Sequence, residues 1–441
     1  MEPEGTPSGP APATAPSGGA YLKLVGLAAL IGLPAAGLAA VFLAVVHWLE
    51  DLLWVDLPNH LGASEPPWYL VVGLPVVGAA LVAAARVLLP GDGGHEPING
   101  LDATPTPLSH LPGVALAALG SLAFGAVLGP EAPLIALGSV VGVAMIRLVK
   151  VKGPGGATLT VAGSFSAISA LFGGPLPAGI LLVEASVGLG AAAIPLLLPG
   201  LVAAAVGYLL FVGLGSWGGI DAATLKVSGL PAYEGTHLKD LVLAIAVGIV
   251  VAILCTLIRF GAHHLQRLRH TGLGVPGLLV LGGLAVGLIA LATRALGADS
   301  QDLLFSGQAS LPALVSQTST EIVLVLLVGK SVAYAVCLGC GFRGGPVFPA
   351  IFIGVAVASA AGLPLDVSPT LAVAVGAAAG MAAMTRLLFA SLLISALLVG
   401  TNGLDTVPAA VLACAAAWIV IHAMDQTPLG LPPVAHAQRA S

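Results

Sequence analysis

Charge is what this sequence has least of. Only 8% of its residues are Asp, Glu, Lys or Arg, against about a quarter in soluble domains, while 58% are hydrophobic. Such a chain cannot cover itself with polar surface, so a soluble globular protein is excluded, and a net charge of −5 gives no reason to expect a nucleic-acid partner. Cysteine is scarce as well. Cys255, Cys337, Cys340 and Cys414 all lie in apolar runs. The one CxxC, Cys337 and Cys340, has no second thiol or histidine pair beside it, so no metal and no cofactor is expected. The cysteines read as small buried apolar side chains. No HExxH or GxSxG occurs, and histidines gather only at His263, His264 and His270. A membrane-embedded enzyme would therefore lack its second catalytic group. Residues 1–19 carry no basic residue and no apolar core, which reads as a disordered tail rather than a signal peptide. With only a short Pro-containing tail at 425–441, no appended regulatory domain is expected.

Apolar stretches, by contrast, recur from end to end, at 21–48, 67–89, 190–213, 237–260, 274–296, 320–338, 368–400 (two helices) and 405–424. About 20 residues of helix cross a hydrocarbon core of about 30 Å. Lipid offers no partner for backbone N–H and C=O groups, and the runs are continuous rather than alternating, so they are helices and not barrel strands. The fold expected is an all-α polytopic membrane protein, located in the cell membrane.

One pattern occurs twice. GAVLGPEAPLIALG (125–138) and GFRGGPVFPAIFIG (341–354) align with Gly125 on Gly341, Gly129 on Gly345, Pro130 on Pro346, Pro133 on Pro349 and Gly138 on Gly354. With Gly 59 and Pro 33 in 441 residues, two glycines meet by chance in about two columns of a hundred, so five matched breakers in so short a stretch indicate duplication. Basic residues cluster at Arg147, Lys150 and Lys152 and at Arg259, Arg267 and Arg269, which places both loops on the cytoplasmic face. The repeat carries the first loop onto LPLDVS (363–368), which has no Lys or Arg, as two halves of opposite orientation would show. The halves are expected at 20–216 and 237–424, joined by a linker at 217–236.

Gly and Pro concentrate at 91–100, 125–133 and 339–349, each flanked by apolar sequence. Each cluster predicts a helix that begins at membrane depth. Its first N–H groups are unpaired and its dipole is positive there, which makes an anion site without any basic side chain. Gly and Pro that merely kink or closely pack membrane helices are the plainer explanation for any single cluster. Three acids lie in apolar runs, where a carboxylate at the helix centre costs about 2.5–3.5 kcal/mol. Glu321 opens its run and reads as an interfacial first-turn charge, and Glu184 as a group that caps or pairs at a helix end. Glu131 sits in the first turn of a broken helix, opposite Val347 in the second copy. A carboxylate tethered there can take the anion's place and leave when protonated or displaced, which is a gate; the simpler alternative is a permanent dipole-stabilising charge.

The stretch LVGKSVAYAVCLGCGFRGGPVFPAIFIG (327–354) resembles the CLC chloride channel and transporter family at Lys330, Leu338, Gly339, Gly341, Gly344, Gly345, Pro349 and Gly354. The box at Gly129, Glu131 and Pro133 resembles its gating-glutamate motif, and 172–184 and 385–400 are similar to the segments that follow each box. The resemblance implies an inverted repeat of broken and tilted helices, a homodimer with a pore in each subunit, and permeation of an inorganic anion, chloride by default. It puts Glu131 in the place of the external gate. Gly129, Pro130, Ala132 and Pro133 frame one amide site, and Gly345, Pro346, Val347, Phe348 and Pro349 the other. Gly93, Gly94, His95, Glu96 and Pro97 fall on the anion filter. Three departures stand out. The filter serine is Gly94, with His95 as an alternative hydrogen-bond donor; no tyrosine follows Tyr334 to close an inner gate; and Ala185 follows Glu184 where proton-exchanging members carry a second acid. These favour passive permeation over anion/proton exchange, and leave fluoride, nitrate or an organic anion open.

Overall fold

Apolar sequence becomes helix wherever no Gly-Pro pair intervenes. The computed structural model describes residues 18–101, 104–151, 155–185, 194–220, 225–270 and 272–426. Its first half holds α1 (Gly18–Asp51), α2 (Trp68–Leu88), α3 (Leu111–Leu122), α4 (Glu131–Val149), α5 (Gly155–Leu171), α6 (Pro175–Ala185) and α7 (Ile194–Val212). The second holds α8 (Leu238–Arg267), α9 (Gly274–Ala295), α10 (Thr320–Cys340), α11 (Val347–Gly362), α12 (Pro369–Thr385), α13 (Phe389–Val399) and α14 (Val407–Asp425). Among the described residues, eight helical segments are long and apolar enough to cross a membrane. Others, such as α6 and α13, are too short to span a bilayer. The first 17 residues, Lys152 and residues 427–441 lie outside the described part, so the expected N-terminal tail and most of the C-terminal one are not seen.

Helix lengths run in step across the halves. α5 and α12 have 17 residues each, α6 and α13 have 11, and α7 and α14 have 19. α4 and α11 differ, at 19 and 16 residues, but the duplication read from one motif extends through the three helices that follow them in each half. The final matched pair, Gly138 and Gly354, shows why. A Cβ on Gly138 would lie 2.3 Å from Gly163 O, and one on Gly354 2.0 Å from Gly376 O. In each half a glycine lets α4 cross α5, or α11 cross α12, at backbone contact, the close approach that small residues allow in membranes. Gly354→Val is expected to destabilise the protein by about 3 kcal/mol, the scale of overpacking a tight interface. Thermal unfolding in detergent measures this, and an unchanged midpoint would contradict the crossing.

Most basic residues sit at helix ends. Arg86 ends α2, Arg147 and Lys150 close α4, Arg267 and Arg269 close α8, and Arg294, at the end of α9, meets Glu65 and Pro66 O in the α1–α2 loop. Glu321 lies exposed in the first turn of α10, whose N-cap Ser319 Oγ accepts from Ile322 N at 3.4 Å. The first-turn charge expected at 321 is found. The linker packs on the second half, Val227 N donating to Leu398 O and Tyr233 N to Asn402 O, both at 2.9 Å.

Candidate anion pathway

Both Gly-Pro boxes fold the same way. Gly125 and Gly341 have φ of 89° and 98°, a left-handed conformation open to glycine and strained for other residues, and turn the chain out of α3 and α10. Pro130 and Pro346 then cap α4 and α11, and Pro133 and Pro349 follow in the first turns, where a missing N–H costs nothing. The boxes meet as an antiparallel bridge, with Gly129 N donating to Gly345 O at 2.8 Å and Gly345 N to Gly129 O at 2.5 Å. The duplicated motif is therefore a pair of helix starts joined back to back inside the protein.

Glu131 is fully buried at this junction. Its carboxylate lies between its own helix terminus and that of the other repeat. It reaches across the bridge, where Oε1 accepts from the N–H of Phe348 in the first turn of α11 at 3.0 Å. Oε2 has no hydrogen-bond partner. Glycine makes the room, since a Cβ on Gly129 would fall 2.3 Å, and one on Gly345 1.6 Å, from Oε2. Phe348 stacks on Phe172 at 5.8 Å, and the Tyr334 hydroxyl donates to Pro346 O at 2.9 Å, so both sides of the α11 terminus are held by aromatic residues. Cys337 has a concrete part too, its Sγ accepting from Val127 N at 3.3 Å inside the first box. Lys330 Nζ donates to the carbonyls of Asp302, Leu303 and Leu304 at 2.9–3.1 Å and fastens the short helix Ser300–Leu303. Beside this junction lies a mostly apolar cavity of about 680 Å³, lined among others by Trp54, Leu128, Pro130, Lys226, Phe305 and Gln308.

The third cluster departs from expectation. No helix begins at 91–100 beyond the single 3₁₀ turn Pro97–Asn99. Gly91, Asp92, Gly93 and Gly94 have φ of 91°, 49°, 69° and 96°, and Gly100 closes the loop at 84°. A run of left-handed residues cannot seed a right-handed helix. The His95 ring is turned onto Gly100 O at 3.1 Å, within its own loop. What fills the site is an ionic cluster that the motif reading missed. Asp92 Oδ1 and Oδ2 accept from Arg86 Nε and Nη2 at 2.8 and 2.9 Å, Asp92 also accepts from Arg343 Nη2 at 2.5 Å, and Glu96 Oε1 accepts from Arg269 Nη1 at 2.6 Å. Burial pushes the Glu96 carboxyl up, but Arg343, Arg269 and Arg86 outweigh it and hold it below its ordinary value. The available signal was Arg343 itself, a charge in the middle of the second box.

Glu184, at the end of α6, caps α13. Its Oε1 accepts from Leu388 N and Phe389 N, both at 2.9 Å, and Oε2 from Ala390 N at 2.7 Å. Of the two roles expected for it, capping is the one found.

The family model described as "Voltage gated chloride channel" matches residues 91–422, the span that contains both boxes, the filter loop and Glu184. The chain belongs to the voltage-gated chloride channel family. Among the similar curated proteins, two named "Putative ion-transport protein YfeO", from Escherichia coli (strain SMS-3-5 / SECEC) and Escherichia fergusonii, are 29% identical over 350 residues, 75% of this chain and 77% of theirs. Two solved structures share the fold. "X-ray crystal structure of a slow cyanobacterial Cl-/H+ antiporter" has TM-score 0.75 at 19% identity, covering 92% of this chain and 96% of that one. "Crystal structure of a CLC-type fluoride/proton antiporter" has TM-score 0.70 at 18% identity, with 94% and 99% coverage. Membership makes this a multi-pass membrane protein of anion transport with the CLC inverted-repeat fold, and not an enzyme.

Proposed function

We propose that the chain is a gated permeation path for inorganic anions, chloride first, with Glu131 as its gate. The observation that carries this is the seat of the Glu131 carboxylate on the Phe348 amide. A helix N-terminus favours negative charge without basic side chains, and its occupant here is a tethered anion. A permeating anion would compete for that seat and take it when the carboxylate is protonated or swings aside. On this reading Gly129, Pro130, Ala132 and Pro133 shape one half of the seat, and Gly345, Pro346, Val347, Phe348 and Pro349 the other. Proteoliposomes loaded with chloride, fluoride or nitrate test it: efflux should exceed that of protein-free vesicles, and absence of efflux for every anion at two pH values would favour a non-transporting accessory protein.

Passive permeation fits better than proton exchange, because both oxygens of Glu184 are committed to the first turn of α13 and Ala185 follows it. Glu184→Gln is expected to lower stability by about 1 kcal/mol, the scale of a helix cap, with chloride efflux retained. If the wild type acidifies or alkalises vesicles along a chloride gradient and Glu184→Gln stops it, Glu184 lies on a proton route instead. Exchange remains the second reading because Glu131 Oε2 is buried without a hydrogen-bond partner, a place for a proton. A homodimer in the cell membrane is the expected assembly; α6, α7, α13 and α14 leave Leu176, Leu198, Phe389 and Ile419 exposed on its candidate interface.

A further inference from the structure

We propose that Arg86, Arg269 and Arg343 form an inner anion site for planar oxyanions, the class of formate and nitrate, and that the Glu96 carboxylate is its tethered occupant. Its place on a permeation path rests on the function proposed above; its chemistry does not. Glu96 Oε1 faces all three guanidiniums, 2.6 Å from Arg269 Nη1, 3.4 Å from Arg343 Nη1 and 3.7 Å from Arg86 Nη2. Three cations stand against two carboxylates, Asp92 and Glu96, so one positive charge is left over. Arg343 is only 2% exposed, and its Nη1, like Arg269 Nε, has no hydrogen-bond partner.

The guanidiniums hold their positions independently of Glu96. Arg86 Nη1 donates to Gly341 O at 3.0 Å, Arg269 Nη2 to Gly339 O at 3.3 Å, and Arg343 Nε and Nη2 to Asp92 O at 3.1 and 2.8 Å. The Arg343 amide is fixed in turn by Ser121 Oγ at 3.0 Å. Asp92 is locked by both oxygens, whereas Glu96, the less exposed of the two side chains, engages through Oε1 alone. Glu96 is therefore the carboxylate free to leave, and a ready-made site remains when it does. A guanidinium fork matches planar oxygen pairs and gives a spherical halide no such geometry. Arg343 stands two residues before Gly345, so this site adjoins the seat of Glu131. The chain would then carry two tethered carboxylates in series, one on backbone amides and one on arginines.

Titration calorimetry on the full-length purified protein with formate, nitrate and chloride tests the site without requiring transport. Glu96→Gln is expected to bind formate and nitrate at least about tenfold tighter than wild type and chloride more weakly than either, and Glu96→Gln with Arg269→Met to lose the gain. Equal affinity in wild type and Glu96→Gln, or a preference for chloride, would overturn the proposal. If Glu96→Gln unfolds readily, formate or nitrate should raise its melting temperature more than chloride does, and no such rescue would overturn it equally. A wild type that passes no anion would sink the function proposed above and leave this titration standing.

Discussion

Glu131→Gln is expected to raise anion efflux at neutral pH and to remove its pH dependence. In the wild type the ionised carboxylate accepts from the Phe348 amide, so efflux should be low at neutral pH and rise on acidification, when protonation removes the charge that holds it there. A hydrogen bond to a charged group contributes about 1.5–3 kcal/mol, and 1.4 kcal/mol is tenfold, so the neutral side chain should raise efflux roughly ten- to hundredfold. Glutamine keeps an acceptor oxygen; Glu131→Ala removes that too and should give at least the same effect. Efflux from proteoliposomes at two pH values measures both. Unchanged flux in the two variants would mean that Glu131 is only a buried first-turn charge.

Gly345→Ala is expected to reproduce that behaviour with Glu131 still present. The new Cβ would lie 1.6 Å from Glu131 Oε2, and the carboxylate, at the end of a flexible side chain, is what must move. Gly345 is not in the left-handed region, so alanine adds no backbone strain there. Evicting the carboxylate should raise efflux by about the same factor and flatten its pH dependence, and the double variant Gly345→Ala with Glu131→Gln should differ little from either single one, because both remove one interaction. Independent, additive effects would contradict a shared seat.

The architecture was largely legible in the sequence. Apolar runs of spanning length located most of the long helices, though α8 runs seven residues past its run and α4 and α11 were visible only as the sequences that follow the two boxes, and the aligned breakers gave the duplication. The structure assigns each matched pair a physical job: Gly125 and Gly341 turn the chain, Gly129 and Gly345 bridge and make room, the prolines start the helices, and Gly138 and Gly354 let helices cross. The short helices α3, α5 and α6 were harder to read, because apolar segments packed inside protein need not reach spanning length.

The site was legible in part. That Glu131 stands at a helix start follows from its Gly-Pro context. That its carboxylate serves the terminus of the other repeat does not, since the bridge between Gly129 and Gly345 joins residues far apart in sequence. The Gly and Pro content of the 91–100 loop suggests a helix start, yet its consecutive glycines favour left-handed turns. The arginines around it come from α2, the end of α8 and the second box, a convergence no local pattern contains.

The most direct measurement is a structure of Glu131→Gln with bromide, whose anomalous scattering locates the halide. The account predicts a bromide at the seat left by the carboxylate, about 3–3.5 Å from the Phe348 amide, as an N–H···anion contact requires. Efflux through this variant with no bromide at that amide, or with bromide bound only elsewhere, would contradict the claim that Glu131 occupies the anion's place.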